Sequence, residues 1–154
     1  MEVLYNDFKR DEDVMQVVKY MFQTHGDDRG QLISLEEYND IPFTIKRVYY
    51  MYDTGAGVVR GKHAHKTLKQ ILVCVHGSCK IRLDNGFEKK IVALEKPYEG
   101  LYISNDTWRE MYDFSPDAVL MVLASEIYDE ADYIRDYEDF LEMVKSKQDR
   151  EQKP

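Results

Sequence analysis

No stretch of eighteen apolar residues occurs in this chain of 154, so no helix is expected to span a membrane. A secretory leader is not expected either, since the opening MEVLYNDFKRDED carries acids and no long apolar core. Cysteine is scarce. Cys74 and Cys79 lie in or beside apolar strand-like runs, so buried free thiols are expected rather than a disulfide, which fits a cytoplasmic setting. Basic residues are outnumbered 21 to 29, for a net charge of −8, which argues against nucleic acid as a partner. No internal repeat is visible. What remains is a chain of ordinary apolar content, 44%, long enough for one domain around one core.

The charge is uneven. From Lys46 to Lys69 there are six basic residues (Lys46, Arg47, Arg60, Lys62, Lys66, Lys69) and one acid, Asp53. A positive island on an acidic protein suits a small anionic ligand, and equally a solvated strand face.

Short strand-like segments dominate the pattern. Val17–Phe22 reads as a strand or as the end of a short helix from Asp11, and HGDDRG at 25–30, which holds Arg29, reads as a turn. Gln31–Tyr38 is expected to be a strand. FTIKRVYYMY at 43–52 is strongly strand-like, but period alone leaves open whether Arg47 and Tyr49 or Val48, Tyr50 and Tyr52 face inward. Further strands are expected near His63, at 70–76, 79–83, 87–94, 100–104, 107–112 and 118–125, with a hairpin at Asp84-Asn85-Gly86 because Asn-Gly accepts positive φ. AVLMVLA at 118–124 suits a strand covered on both sides. Many short strands argue for a sandwich or barrel. Tyr133, Tyr137, Phe140, Leu141 and Val144 then fall at helical spacing, and KSKQDREQKP reads as a charged tail. The fold class is therefore all-β: a double-sheet barrel with a C-terminal amphipathic helix. The expected divisions are an N-terminal extension at 1–16, the barrel domain at 17–144 and the tail at 145–154.

The centre of the chain is GVVRGKHAHKTLKQILVCVHG, residues 57–77. His63 and His65 are two apart, so on a strand both rings point to one side. With Gln70 close behind, they read first as a metal site. The spacing Gly57, His63, His65, Gln70, Gly77 resembles the first motif of the cupins, with Gln70 where the metal-binding glutamate would stand. The region resembling the second motif, 97–114, has no histidine and offers Trp108 and Arg109 instead. Arginine is a donor only and does not ligate a cation, so no metal and no other cofactor is expected. A metal-free histidine pair has other uses. Imidazole is a general base near neutral pH, and arginine and tyrosine donors stabilise an oxyanion. Beside an inward Arg47 or Tyr49, such a base suits removal of a proton α to a carbonyl. The plainer reading makes His65 a satisfied core residue, His63 a rim residue, Trp108 packing, His76 a strand-end residue and His25 a solvated one.

IPFTIKRVYYMYDT, RGKHAHKTLKQILVCVHGSCKIRLDNG and ISNDTWREMYDFSPDAVLMVLAS are together similar to the cupin-type dTDP-sugar 3,4-ketoisomerases, the WxcM-like group of deoxysugar enzymes. The similarity runs from about residue 18 to about residue 142. It implies a jelly-roll barrel converting dTDP-4-oxo-6-deoxy-D-glucose, without metal, to a dTDP-3-oxo-6-deoxyhexose for surface glycans of the O-antigen or S-layer kind. It implies a cytoplasmic homodimer with exchanged N-terminal strands. His63, His65 and Tyr49 would be catalytic, with His63 preferred as the base. Arg47, Arg60, Gln70, Arg109 and Arg29 would bind substrate. Relatives forming galacto and gluco products differ at two positions matching Arg29 and Arg109, and the two residues point opposite ways, leaving the C4 configuration open. A nucleotide-sugar-binding cupin without turnover, a dTDP-sugar epimerase and a metal-dependent cupin are the alternatives.

Overall fold

A computed structural model of the chain describes residues 15–152, so the expected N-terminal extension, except Met15 and Gln16, lies outside the described residues. Twelve strands and one α-helix follow in order: β1 (Val18–Met21), β2 (His25–Asp27), β3 (Gly30–Leu32), β4 (Arg47–Met51), β5 (Arg60–His65), β6 (Gln70–His76), β7 (Cys79–Asp84), β8 (Lys89–Leu94), β9 (Glu99–Ile103), β10 (Trp108–Tyr112), β11 (Val119–Ala124), β12 (Tyr133–Ile134) and α1 (Tyr137–Glu151). Two five-stranded sheets form, in the orders β1-β9-β6-β11-β4 and β12-β5-β10-β7-β8, and β2 and β3 make a small separate ribbon. Every strand pairing is antiparallel. This is the all-β double-sheet architecture with a C-terminal helix that the pattern predicts.

Alternation sends one face of each strand into the space between the sheets. Leu72 and Cys74, Ile81 and Leu83, Leu101 and Ile103, Leu120 and Val122 meet there, and Tyr49 and Met51 pack against them. The open question about β4 is thus settled: its odd positions face inward, while Val48, Tyr50 and Tyr52 are exposed. The expectation for 118–124 also holds. Leu120 and Val122 join the inner core, while Leu123 and Met121 join a second cluster with Phe22, Ile41, Phe43, Ile71 and Val73.

That second cluster explains two departures from the expected strands. Residues 33–46 carry no strand beyond an isolated bridge at Ile41. Ile33, Leu35, Ile41, Phe43 and Ile45 instead lie over the outer face of the first sheet. Their apolar side chains are used as a cover, so β3 ends at Leu32 and β4 begins only at Arg47. The expected hairpin exists, but its connection spans Asn85 to Glu88, with Asp84 paired to Lys89. Only Gly86 takes positive φ, while the Asn85 side chain accepts from the N–H groups of Phe87 and Glu88.

The helix starts later than the apolar spacing predicts. Asp136 caps it, accepting from the Asp139 N–H, and Tyr133 stands outside it in β12. It also continues through Glu151, into the stretch read as a charged tail. Its apolar face docks through Phe140, fully buried against Trp108, Ala64 and Ile134. Trp108 is therefore packing, its ring 5.2 Å from Tyr137 and 5.8 Å from Phe140. Phe140→Ala is expected to destabilise the protein by about 3–5 kcal/mol, read as a lower midpoint in urea unfolding; a loss under about 1 kcal/mol would mean the helix is not held by this contact.

Candidate active site

The site begins with a break in pairing. β5 and β10 pair Arg109 with His63 and then Glu110 with Gly61, so Lys62 is an extra residue in the ladder. Gly61 and Lys62 both take positive φ, 84° and 53°. A Cβ on Gly61 would lie 3.1 Å from the Arg109 carbonyl oxygen, so the bulge needs glycine there. The bulge turns the Gly61 carbonyl back to His63, whose Nδ1 donates to it at 2.9 Å. A carbonyl only accepts, so the His63 proton is on Nδ1 and Nε2 carries the lone pair.

His65, one pleat on, is fully buried. Its Nδ1 donates to Asp132 Oδ2 at 3.1 Å. That carboxylate also accepts from the Thr67 N–H at 2.9 Å, the Thr67 hydroxyl at 2.8 Å and the Leu68 N–H at 3.2 Å. Burial opposes its ionisation, but these donors outweigh burial and hold the carboxyl below its usual value. Both imidazoles thus share one tautomer, with Nε2 buried and unpartnered in each. The rings meet edge to face at 4.8 Å, and Tyr133 packs 5.0 Å from His63 and 4.4 Å from His65.

His63 opens onto a cavity of about 310 Å³, lined also by Arg47, Tyr49, Met51, Arg60, Gly61, Met111, Tyr133 and Arg135. Arg47 stacks on Tyr49 at 5.1 Å and on Tyr128 at 5.6 Å, and two of its nitrogens, Nε and Nη2, are buried with no partner. Arg135 lies over Tyr133 at 4.3 Å and is held by Glu130. This ion pair drives the Glu130 carboxyl down to about 2. The cavity is therefore cationic and aromatic, with a neutral base in its wall.

Arg109 and Gln70 lie behind this wall. Both are fully buried, and neither lines the cavity. Arg109 donates to the Thr107 carbonyl at 2.8 Å and to Gln70 Oε1 at 2.5 Å. Gln70 Nε2 donates to the Tyr49 hydroxyl at 2.9 Å. Burial lowers the Arg109 guanidinium only to about 10, so it stays charged at neutral pH. Burial first, and then this cation, depress His63 to about 4 and His65 to about 3. For His63 that is roughly 3 kcal/mol against the imidazolium. The donor set does not suit a metal ion. Gln70 turns its oxygen to a guanidinium, and among the described residues no three His, Cys, Asp or Glu side chains cluster closely enough to hold one.

Of the residues singled out in the sequence, the fold brings His63, Tyr49, Arg47 and Arg60 to one cavity and sets His65, Gln70 and Arg109 directly behind it. Arg29 is elsewhere, exposed in the β2–β3 turn and paired with Asp27. His76 is exposed at the end of β6, as the plainer reading had it; His25 is exposed too, but on β2, since the turn expected over 25–30 is a hairpin whose first strand is His25–Asp27. Asp132, Tyr133, Glu130 and Arg135 were not anticipated. Tyr133 was assigned to the helix by its spacing, and Asp136, a helix-capping residue type three positions later, was the available signal against that.

The model of the family described as "FdtA: WxcM-like, C-terminal" matches residues 15–145. A curated relative, a TDP-4-oxo-6-deoxy-alpha-D-glucose-3,4-oxoisomerase from Aneurinibacillus thermoaerophilus, is 52% identical over 118 residues, covering 77% of this chain and 85% of its own. A 3,4-ketoisomerase from Helicobacter canadensis superposes with a TM-score of 0.83 at 48% identity, covering 86% of this chain and 99% of its own. A sugar 3,4-ketoisomerase from Thermoanaerobacterium thermosaccharolyticum, solved in complex with TDP, superposes with a TM-score of 0.83 at 47% identity, covering 85% and 96%. A 4-keto-6-deoxy sugar epimerase from Streptomyces spheroides superposes at 0.65 with 19% identity, a likeness of fold alone.

The depressed histidines fix a sign for stability. Between pH 6.5 and about 4 the unfolded chain binds protons that His63 refuses in the folded state, so the free energy of unfolding falls as pH drops through that window. Urea unfolding at pH 7, 5.5 and 4.5 is expected to show this decline, with a shallower slope in His63→Asn; equal slopes in the two proteins would contradict the depressed value.

Proposed function

The chain belongs to the family described as FdtA: WxcM-like, C-terminal, and from that premise we propose that it is a sugar-nucleotide 3,4-ketoisomerase converting dTDP-4-oxo-6-deoxy-D-glucose to a dTDP-3-oxo-6-deoxyhexose. The observation that carries the reading is the cavity itself. A neutral imidazole, its Nε2 unpartnered and buried in the wall, borders a space lined by Arg47, Tyr49, Arg60 and Arg135.

The chemistry follows from that arrangement. His63 Nε2 takes the C3 proton, which the C4 carbonyl makes acidic. The C–H electron pair becomes the C3–C4 double bond, and the carbonyl pair moves onto the C4 oxygen, giving an enediolate. The hydroxyl proton passes from the C3 oxygen to the C4 oxygen, the C3 carbonyl forms, and a proton returns to C4. No proton or electron is gained or lost overall. Neutral His63 is ready to accept a proton at pH 7, and its low basicity makes it a fast donor once charged. The unpartnered nitrogens of Arg47 and the Tyr49 hydroxyl are the donors for the developing oxyanion, and Arg60 at the mouth meets substrate or phosphate. The protonated His63 Nε2 gives that proton back at C4, while His65, held by Asp132, stands behind it and outside the cavity. Gln70 and Arg109 act from behind the wall rather than by touching substrate.

The proposed setting is a cytoplasmic homodimer with exchanged N-terminal strands, serving deoxyamino-sugar synthesis for surface glycans. Arg29 keeps a substrate role only in such a dimer, since within one copy it stands outside the cavity. The structure has no helix long and apolar enough to cross a membrane among the described residues.

Incubation with dTDP-4-oxo-6-deoxyglucose followed by NMR is expected to yield the 3-oxo isomer, with solvent deuterium entering the sugar; a nucleotide-sugar binder would incorporate none. His63→Asn is expected to lower kcat by about 10²–10⁴, and near-normal conversion by that variant would remove His63 as the base.

A further inference from the structure

Gln70 is gripped at both ends of its amide. It is fully buried and does not line the cavity, yet it joins the buried cation to a cavity residue. Arg109 Nη1 donates to Gln70 Oε1 at 2.5 Å. A guanidinium has donors only, so the amide oxygen must face it and the amide cannot flip. Gln70 Nε2 then faces Tyr49 and donates to its hydroxyl oxygen at 2.9 Å. An amide nitrogen has only hydrogens to offer, so the phenol oxygen is the acceptor in that bond. The phenol's own proton is left for the cavity. Each assignment forces the next, starting from a group that cannot reverse its role.

Resting on the ketoisomerase reading above, the geometry points to Gln70 as a positioning residue that turns the Tyr49 hydroxyl outward as a hydrogen-bond donor to the enediolate oxygen. Burial holds the Tyr49 phenol above its ordinary value, so the proton is present at neutral pH. A glutamate at the same place would act in the opposite sense. A carboxylate accepts on both oxygens: one would take the Arg109 N–H, and the other would take the Tyr49 proton. The phenol would turn inward, and the positive charge behind the wall would be neutralised. One NH₂ exchanged for oxygen, at nearly constant volume, reverses the direction of the donor.

The test uses the full-length protein and dTDP-4-oxo-6-deoxyglucose. Tyr49→Phe is expected to lower kcat about 100-fold, Gln70→Glu to lower it comparably with KM within about threefold, and the double variant to fall no further than Tyr49→Phe alone. Gln70→Glu activity close to wild type, or losses that multiply in the double variant, would overturn the proposal. Should thermal melting show Gln70→Glu to be unfolded, Gln70→Met takes its place. Methionine has no N–H to donate to the phenol oxygen, so the hydroxyl loses its fixed direction and kcat is expected to fall several-fold with KM within about threefold; wild-type kcat in the folded variant overturns the proposal. A second readout needs no turnover. With ¹³C-labelled tyrosine and Tyr49→Phe to assign the signal, Gln70→Glu is expected to shift the Tyr49 titration to higher pH; an unchanged or lower midpoint counts against the role. If the wild-type protein leaves the sugar unconverted, the ketoisomerase reading fails, and this titration still decides what Gln70 does to Tyr49.

Discussion

A full positive charge lies inside this barrel with no carboxylate in hydrogen-bond contact. Arg109 is completely buried, and its partners are the Thr107 carbonyl, the Ser104 carbonyl at longer range and the Gln70 amide. Taking a cation out of water costs several kcal/mol unless dipoles replace the water, so each of these acceptors is a structural requirement. The consequences spread outward from it. The cation opposes a second positive charge on either imidazole, and it fixes the amide that in turn fixes a phenol. One residue thus adds to burial in keeping both imidazoles neutral and, through Gln70, sets the direction of the Tyr49 hydrogen bond.

Much of the fold was legible because barrels advertise themselves by alternation. The strands over 70–76, 79–84 and 119–124 coincide with short apolar runs bounded by turns, and His63 and His65 share a face simply because they are two apart. Residues 33–45 were misleading because alternation cannot tell an apolar strand from an apolar strap. Phe43 and Ile45 are buried by covering a sheet rather than by joining one. Tyr133 was misplaced for a similar reason. A helical period tolerates one extra residue at its start, and only the cap at Asp136 marks the true beginning.

The site was half visible. His63, Tyr49, Arg47 and Arg60 could be suspected from local sequence, since β4 and β5, consecutive in the chain but in opposite sheets, and one bulge bring them to a shared cavity. What local sequence hid was depth. Gln70 and Arg109 look like ligand-facing residues in a list, but the layer they occupy depends on pairings far apart in the chain, between β5, β10, β6 and β11. Asp132 was hidden by distance as well. It lies 67 residues from His65, and an aspartate in an acidic segment carries no mark of its partner.

Asp132, Tyr133 and Arg135 sit on the short crossing between the barrel and α1, so the cavity and the His65 anchor are completed only by residues made after β11. A nascent chain stopped after β11 could pair every strand of the first sheet and all of the second except β12. It would still have an imidazole at position 65 without its anchor and a pocket without its far wall. The cavity is therefore closed only when the segment after β11 lays β12 along β5 and seats Phe140 beneath Trp108.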